Sequence, residues 1–137
     1  MKQVMFSNAW FERYKECINS NTNYEKYAAE WEGDIILSIK GDEKSQYFRS
    51  GELKNVRLEL YHGKCNSISF PVSASIKEVP YLLEGKATTW ENILSGKADV
   101  VTSMLKGEIT VTGDIRKLMK YVNAAQELVK SAWRIDQ

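Results

Sequence analysis

The stretch from Ile115 to Trp133 constrains the fold more than any other part of the chain. Ile115, Leu118, Met119, Val122, Ala125, Val129, Ala132 and Trp133 recur at helical spacing. Tyr121, Ala124 and Leu128 widen that apolar face beyond a narrow stripe, while Lys117, Lys120, Glu127, Lys130 and Arg134 fall on the wet side. Asp114 stands where an N-cap is needed. The spacing predicts an amphipathic C-terminal helix with an apolar layer to cover.

The middle of the chain supplies such a layer, because its hydrophobic period is two. Ile35, Leu37 and Ile39 alternate with Ile36, Ser38 and Lys40; Val56, Leu58 and Leu60 alternate with Arg57, Glu59 and Tyr61; Ile68, Phe70 and Val72 alternate with Ser69 and Pro71. Each reads as a half-buried strand with one inward and one wet face. Residues 42–54, polar and containing Gly51, read as a longer hairpin connection or a short edge strand. A fourth strand is expected within 79–87, with Pro80 at an edge or a strand start. A fifth is expected over Glu108–Thr112.

Helices flank these strands. Phe6, Trp10, Tyr14, Cys17 and Ile18 share one helical face, and Tyr24, Tyr27, Ala28 and Trp31 share another, with Asn23 as the cap and Gly33 as the end. Thr89 is placed to cap a short helix that buries Trp90, Ile93 and Leu94 and ends at Gly96. Asp99 is placed to cap another that turns Val101, Met104 and Leu105 inward and ends at Gly107. The fold class is therefore α+β: a five-stranded, mainly antiparallel sheet covered by helices.

The 137 residues fit one domain, 1–137, large enough for a sizeable core. A net charge of +1 gives no electrostatic case for nucleic acid as a partner. No apolar run reaches the roughly 18–20 residues that span a bilayer, and the N-terminus lacks a signal-peptide layout. Cys17 and Cys65, outside any CxxC motif, read as reduced thiols of a cytoplasmic protein, with a secreted protein holding one disulfide as the alternative.

Catalytic machinery is hard to assemble from these residues. The single histidine, His62, lies three positions from Cys65, so a Cys–His pair across a Gly63-Lys64 turn is one reading. That turn would place the apolar residues of the two strands on opposite faces. A three-residue loop pairing Leu60 with Ile68 and Leu58 with Phe70 matches the faces and leaves Cys65 in the loop, at an exposed hairpin tip. The carboxylates are scattered, no nucleotide-binding glycine loop occurs, and no metal or cofactor is expected.

From Trp90 onward the chain resembles the sterol carrier protein family. The resemblance is carried by Trp90-Glu91-Asn92-Ile93-Leu94-Ser95-Gly96-Lys97-Ala98-Asp99, by Met104-Leu105-Lys106-Gly107-Glu108-Ile109-Thr110-Val111-Thr112-Gly113-Asp114, and by Leu118. The order of the remaining elements agrees, although residues 42–54 look longer than the family's usual first hairpin. The resemblance implies a non-enzymatic carrier that holds a fatty acid, fatty acyl-CoA or sterol-like ligand in an apolar tunnel between sheet and helices. It implies a lining formed by Trp90, Ile93, Leu94, Val101, Met104, Leu105, Ile109, Val111, Leu118, Met119 and Val122. A closed-core interaction module, with homodimerisation through the sheet or the last helix, is the alternative, and a small enzyme on an apolar substrate is a third reading. Lys117, Lys120, Lys130 and Arg134 would serve a transient membrane-surface contact.

A magnitude sets a condition on the tunnel. A ligand site of about 300 Å³ left as a void would cost about 7 kcal/mol, comparable with a domain's whole net stability of about 5–15 kcal/mol. A real tunnel must therefore be filled by ligand or narrowed by movement of its walls.

Overall fold

The computed structural model describes residues 4–73 and 79–136. The first three residues, part of the expectation about targeting, and Gln137 lie outside the described residues. Two helices lead, α1 (Asn8–Asn19) and α2 (Thr22–Tyr27), followed by β1 (Ile35–Lys40), β2 (Leu53–Tyr61), β3 (Lys64–Ser69) and β4 (Tyr81–Lys86). Then come α3 (Ala87–Leu94), α4 (Val100–Leu105), β5 (Ile109–Thr112), α5 (Ile115–Met119) and α6 (Val122–Ala132). The strands form one five-stranded sheet in the order β3-β2-β1-β4-β5, antiparallel except where β1 meets β4. This is the expected α+β architecture, with the sheet mixed but mostly antiparallel.

The central strand is buried on both faces. Ile35 and Leu37 stand in register with Leu58 and Val56 on one side and with Tyr81 and Leu83 on the other, giving an apolar face toward the helices. The opposite face was expected to be wet along β1, yet Ile36 and Ser38 are buried there. Ser38 donates to Asn55 Oδ1 (2.6 Å), and the Asn55 amide donates to the carbonyls of Pro71 and Val72 (3.4 Å each). Pro71 and Val72, just after β3, thus bring their carbonyls over that face. β3 itself stops at Ser69, before Pro71, so Phe70 and Val72 are not part of the strand.

The β2–β3 hairpin differs from both registers considered above. Its two-residue turn is His62-Gly63, both at positive φ (47° and 80°), the geometry of the tight hairpin turn that suits strand twist. A side chain at position 63 would lie 2.7 Å from the Glu25 carbonyl oxygen, so glycine is required by space as well as by φ. The mismatch of apolar faces is resolved by a bulge: Leu60 pairs with Cys65 and Leu58 with Ile68, leaving Asn66 as the extra residue. Cys65 is therefore a buried strand residue.

Helix ends are set by side chains near and far. Ser7, Asp99 and Asp114 accept from the backbone N–H groups of Trp10, Thr102 and Lys117 respectively. α2 is capped by Asn21 rather than Asn23, and it ends at Tyr27, so Trp31 lies outside it, just after the turn over 28–30. The Asn21 amide also donates to Ser131 Oγ (3.0 Å) and the Glu127 carbonyl (3.1 Å), which ties the α1–α2 corner to α6 and buries Glu127, a residue expected on the wet face. α3 begins at Ala87, two residues before the expected Thr89 cap, and Lys86 at its N-cap makes no side-chain bond. Asp42 in the β1–β2 connection supplies the cap instead, accepting from Thr88 N (3.0 Å) and Thr88 Oγ1 (2.5 Å). That connection contains no strand.

The C-terminal amphipathic stretch is two helices. It breaks at Lys120-Tyr121, where Tyr121 leaves helical geometry (φ −112°, ψ 31°) and packs edge-on against Trp31 with ring centres 5.0 Å apart. The break rotates the two faces independently. Leu118 is the one buried residue of α5, while Ile115 and Met119 are exposed.

Candidate ligand-binding site

An apolar cavity of about 70 Å³ lies between the helix-facing side of the sheet and the helices. Ile35, Leu37 and Leu83 form its floor, Tyr14, Tyr24 and Trp31 one wall, and the α3, α4 and α6 side chains the other. Trp90 is fixed by the sheet beneath it. Its indole N–H donates to the Ser38 carbonyl (3.2 Å), and it lies over Gly85, where a Cβ would sit 3.3 Å from the indole nitrogen and 2.5 Å from Ile109 Cδ1. A larger residue at 85 would have to displace the Ile109 terminal methyl and shift the indole by a few tenths of an ångström.

Five of the residues implied by the resemblance stand in this wall: Trp90, Leu94, Met104, Leu118 and Val122. Ile93 and Ile109 are buried outside it, as packed core, and Val101 and Val111 are half-buried outside it. Leu105 is 76% exposed and Met119 36% exposed, both outside the wall. The α4 face is turned by one position from the expected one, so that Val100 and Ser103 are its buried residues. The sequence reading missed the contribution of α1, α2 and β1. Tyr14, Tyr24, Ala28, Trp31, Ile35 and Leu37 carry the periodicity of core residues, and nothing in that signal separates a cavity wall from close packing.

Among the described residues, none that lines the wall is charged. Burial pushes the Tyr14 hydroxyl well above the ordinary tyrosine value of 10.0, helped by Cys65, Tyr24 and Cys17. Burial, with Cys65, also raises that of Tyr24. Tyr14 donates its hydroxyl to the Leu128 carbonyl (2.8 Å). A neutral wall with few polar atoms favours an apolar guest, because every charged or unpaired polar group brought into it would lose hydration without compensation.

A second, more polar groove of about 330 Å³ adjoins the cavity. Lys97, Asp99, Lys130 and Trp133 rim it, and Val100 and Val129 belong to both the groove and the cavity wall. Asp99 is already engaged there: the Thr102 N–H (2.8 Å) bonds it, with burial opposing, and Thr102 Oγ1 and Gln126 add to hold its carboxyl below the ordinary 3.8.

His62 and Cys65 do not form a catalytic pair. His62 is exposed at the hairpin turn, bonded to Glu32 (2.6 Å) and stacked on Tyr61. Burial pushes the Cys65 thiol up to about 12, which leaves it protonated and unreactive at neutral pH. Neither lines the cavity, and among the described residues no cluster of three His, Cys, Asp or Glu could hold a metal.

Comparison with solved structures decides the family. A crystal structure of sterol carrier protein 2 superposes with a TM-score of 0.83 at 30% identity, covering 96% of this chain and 98% of that one. The chain belongs to the sterol carrier protein 2 family. A conserved hypothetical protein of Thermus thermophilus, described as a candidate sterol carrier protein, matches with a TM-score of 0.82 at 28% identity over 98% of this chain and 92% of that one. Sterol carrier protein 2 from Yarrowia lipolytica shares the fold at 16% identity and a TM-score of 0.61, over 96% of this chain and 97% of that one. No family profile matches the chain, and no curated protein does. No helix among the described residues is long and apolar enough to cross a membrane.

Proposed function

We propose that this chain, acting as one lipid-carrier domain, binds and transfers a fatty acid, fatty acyl-CoA or sterol-like ligand without transforming it. The observation that carries this reading is the uncharged cavity between sheet and helices, in a chain whose family is named for sterol carriage. The apolar part of the ligand occupies the cavity, and its polar end lies toward the groove that shares Val100 and Val129. Carriage rather than chemistry is favoured because, among the described residues, no aspartate, glutamate or histidine stands in the cavity wall to move a proton. The two buried free thiols fit a reducing compartment, which we propose is the cytoplasm.

The cavity must widen to do this. A void of about 70 Å³ costs about 1.7 kcal/mol, which a domain tolerates, whereas ligand sites start at about 300 Å³. Two wall elements can yield. Met104 is half-buried and has an adaptable thioether chain, and α5 is anchored by Leu118 alone among its buried residues. Binding energy is then spent partly on opening, and affinity falls as the free chain favours the narrow state.

Native mass spectrometry combined with thermal unfolding tests the reading. A bound lipid at 100 times its Kd should add about 2.7 kcal/mol, or roughly 10 °C in Tm. Purified protein that retains no lipid, and whose Tm is unmoved by fatty acids, acyl-CoAs and sterols, would refute the carrier function.

A further inference from the structure

Lys117, expected on the wet face of the C-terminal helix, is half-buried and turned toward Trp31. Its ammonium donates to the Glu32 carbonyl (3.3 Å) and lies 5.3 Å from the centre of the Trp31 ring. No carboxylate pairs with it among the described residues. The two sides of this contact are held unequally. Residues 31–33 are bound to the β2–β3 hairpin: the His62 N–H donates to the Trp31 carbonyl (2.8 Å), the Gly33 N–H donates to the Leu60 carbonyl (3.4 Å), and the Glu32 carboxylate meets the His62 ring (2.6 Å). The Trp31 indole N–H is engaged with the Gly33 carbonyl (2.8 Å). α5, by contrast, is a five-residue helix set off by Gly113, at a φ of 134°, and by the break at Tyr121, and Leu118 is its one buried residue.

Trp31, Leu118 and Tyr121 all line the cavity. A contact from α5 to Trp31 therefore fixes the distance between two parts of one wall. We propose that Lys117 is the positioning residue that holds the cavity narrow. It pins α5 to the fixed segment at 31–33, and its release lets Leu118 and Tyr121 move outward to make room for an apolar tail. The chemistry suits a reversible latch. An ammonium that leaves a carbonyl and a ring at a half-buried site regains water, and the Glu32 residue it leaves is exposed, so opening strands no charge and no polar atom. The apparent affinity for a lipid is reduced by the fraction of chains in the open state, so the same contact sets affinity as well as room. The proposal rests on the carrier reading for its purpose, but the latch belongs to the free chain and is measurable there.

The test compares the full chain with K117Q, K117R and K120Q. Lys120 is exposed and makes no ion pair among the described residues, so K120Q removes the same charge from the same segment without touching the latch. In the ligand-free chain, K117Q is expected to speed hydrogen exchange of the Leu118 and Tyr121 amides about fivefold relative to amides within α6. It is also expected to bind palmitate about fivefold more tightly, with a smaller gain for hexanoate, which needs less room. K117R keeps the cation and stays close to wild type, and K120Q changes neither quantity. A contact that served the fold alone would lower the unfolding midpoint of K117Q and leave palmitate affinity unchanged or weaker, and that result overturns the proposal. Unaltered exchange at Leu118 and Tyr121, or a K120Q chain that behaves as K117Q does, overturns it too. Faster exchange at those two amides, in chains that bind neither acid, upholds the latch and removes the carrier reading instead.

Discussion

The Tyr14 hydroxyl donates to the Leu128 carbonyl at 2.8 Å, joining α1 to α6 across the end of the cavity. These residues are 114 positions apart, and their bond sets how close the first helix and the last can lie. Tyr14→Phe removes the donor and keeps the ring. The expected loss is about 1 kcal/mol in the urea unfolding free energy. The variant should also take up lipid more readily, because α6 is freed from one tether.

Asn21 fastens α6 to the start of α2 more firmly. It caps α2 through Tyr24 N (3.0 Å) and reaches Ser131 and Glu127 on α6 with its amide. Asn21→Ala loses the cap and leaves buried polar atoms unsatisfied, so a destabilisation of about 2–4 kcal/mol is expected. Denaturant titration would show it, and a loss below about 0.5 kcal/mol would contradict the assigned role.

Asp42 links the β1–β2 connection to α3 and makes stability depend on acid. Burial alone would raise its carboxyl, but the bonds from the Thr88 side chain and backbone and from the Lys44 backbone outweigh that and hold it below the ordinary 3.8. A carboxylate with a lowered folded value contributes its stability fully above the unfolded value. The contribution is lost as pH falls through the folded value. Asp42→Asn should therefore be less stable than wild type at neutral pH by about 0.5–2 kcal/mol. The difference should shrink below about pH 4, as measured by unfolding midpoints across the acid range.

Leu105 and Trp90 give opposite expectations from neighbouring parts of the sequence. Leu105→Ala touches a side chain that is 76% exposed and should change stability by no more than about 0.5 kcal/mol. Trp90→Ala removes a buried indole bonded to Ser38 and should cost about 3–5 kcal/mol. Thermal denaturation of the two variants side by side checks both.

These particulars also show what the sequence could and could not disclose. The caps at Asp99 and Asp114 were legible because a cap is a bond over three residues, fixed by local geometry. Asp42 was not, since its partner Thr88 lies 46 positions away and only the fold brings them together. Asn21 was passed over for Asn23 because both precede the same apolar run, and only the contact with α6 distinguishes them. The hairpin was read with the right conflict, apolar faces that a simple two-residue turn would oppose. The bulge at Asn66 resolves it by a device that alternation alone does not reveal. The α4 face was placed one position off because six residues make fewer than two turns, too few for the period to fix direction. The fold followed from the order of elements, and the family from the residues and spacing between Trp90 and Leu118. The cavity wall did not, because a residue facing a void and one facing a neighbour obey the same hydrophobic pattern.

The most direct test of a lipid-holding cavity is a methyl NMR titration of the full chain with a long-chain fatty acid. The account predicts progressive shifts at Leu37, Leu83, Leu94 and Leu118, which face the cavity, with Leu53 and Leu105 on the surface unmoved. Shifts confined to Leu53, Leu105 or other exposed methyls, or no shifts at saturating ligand, would contradict it.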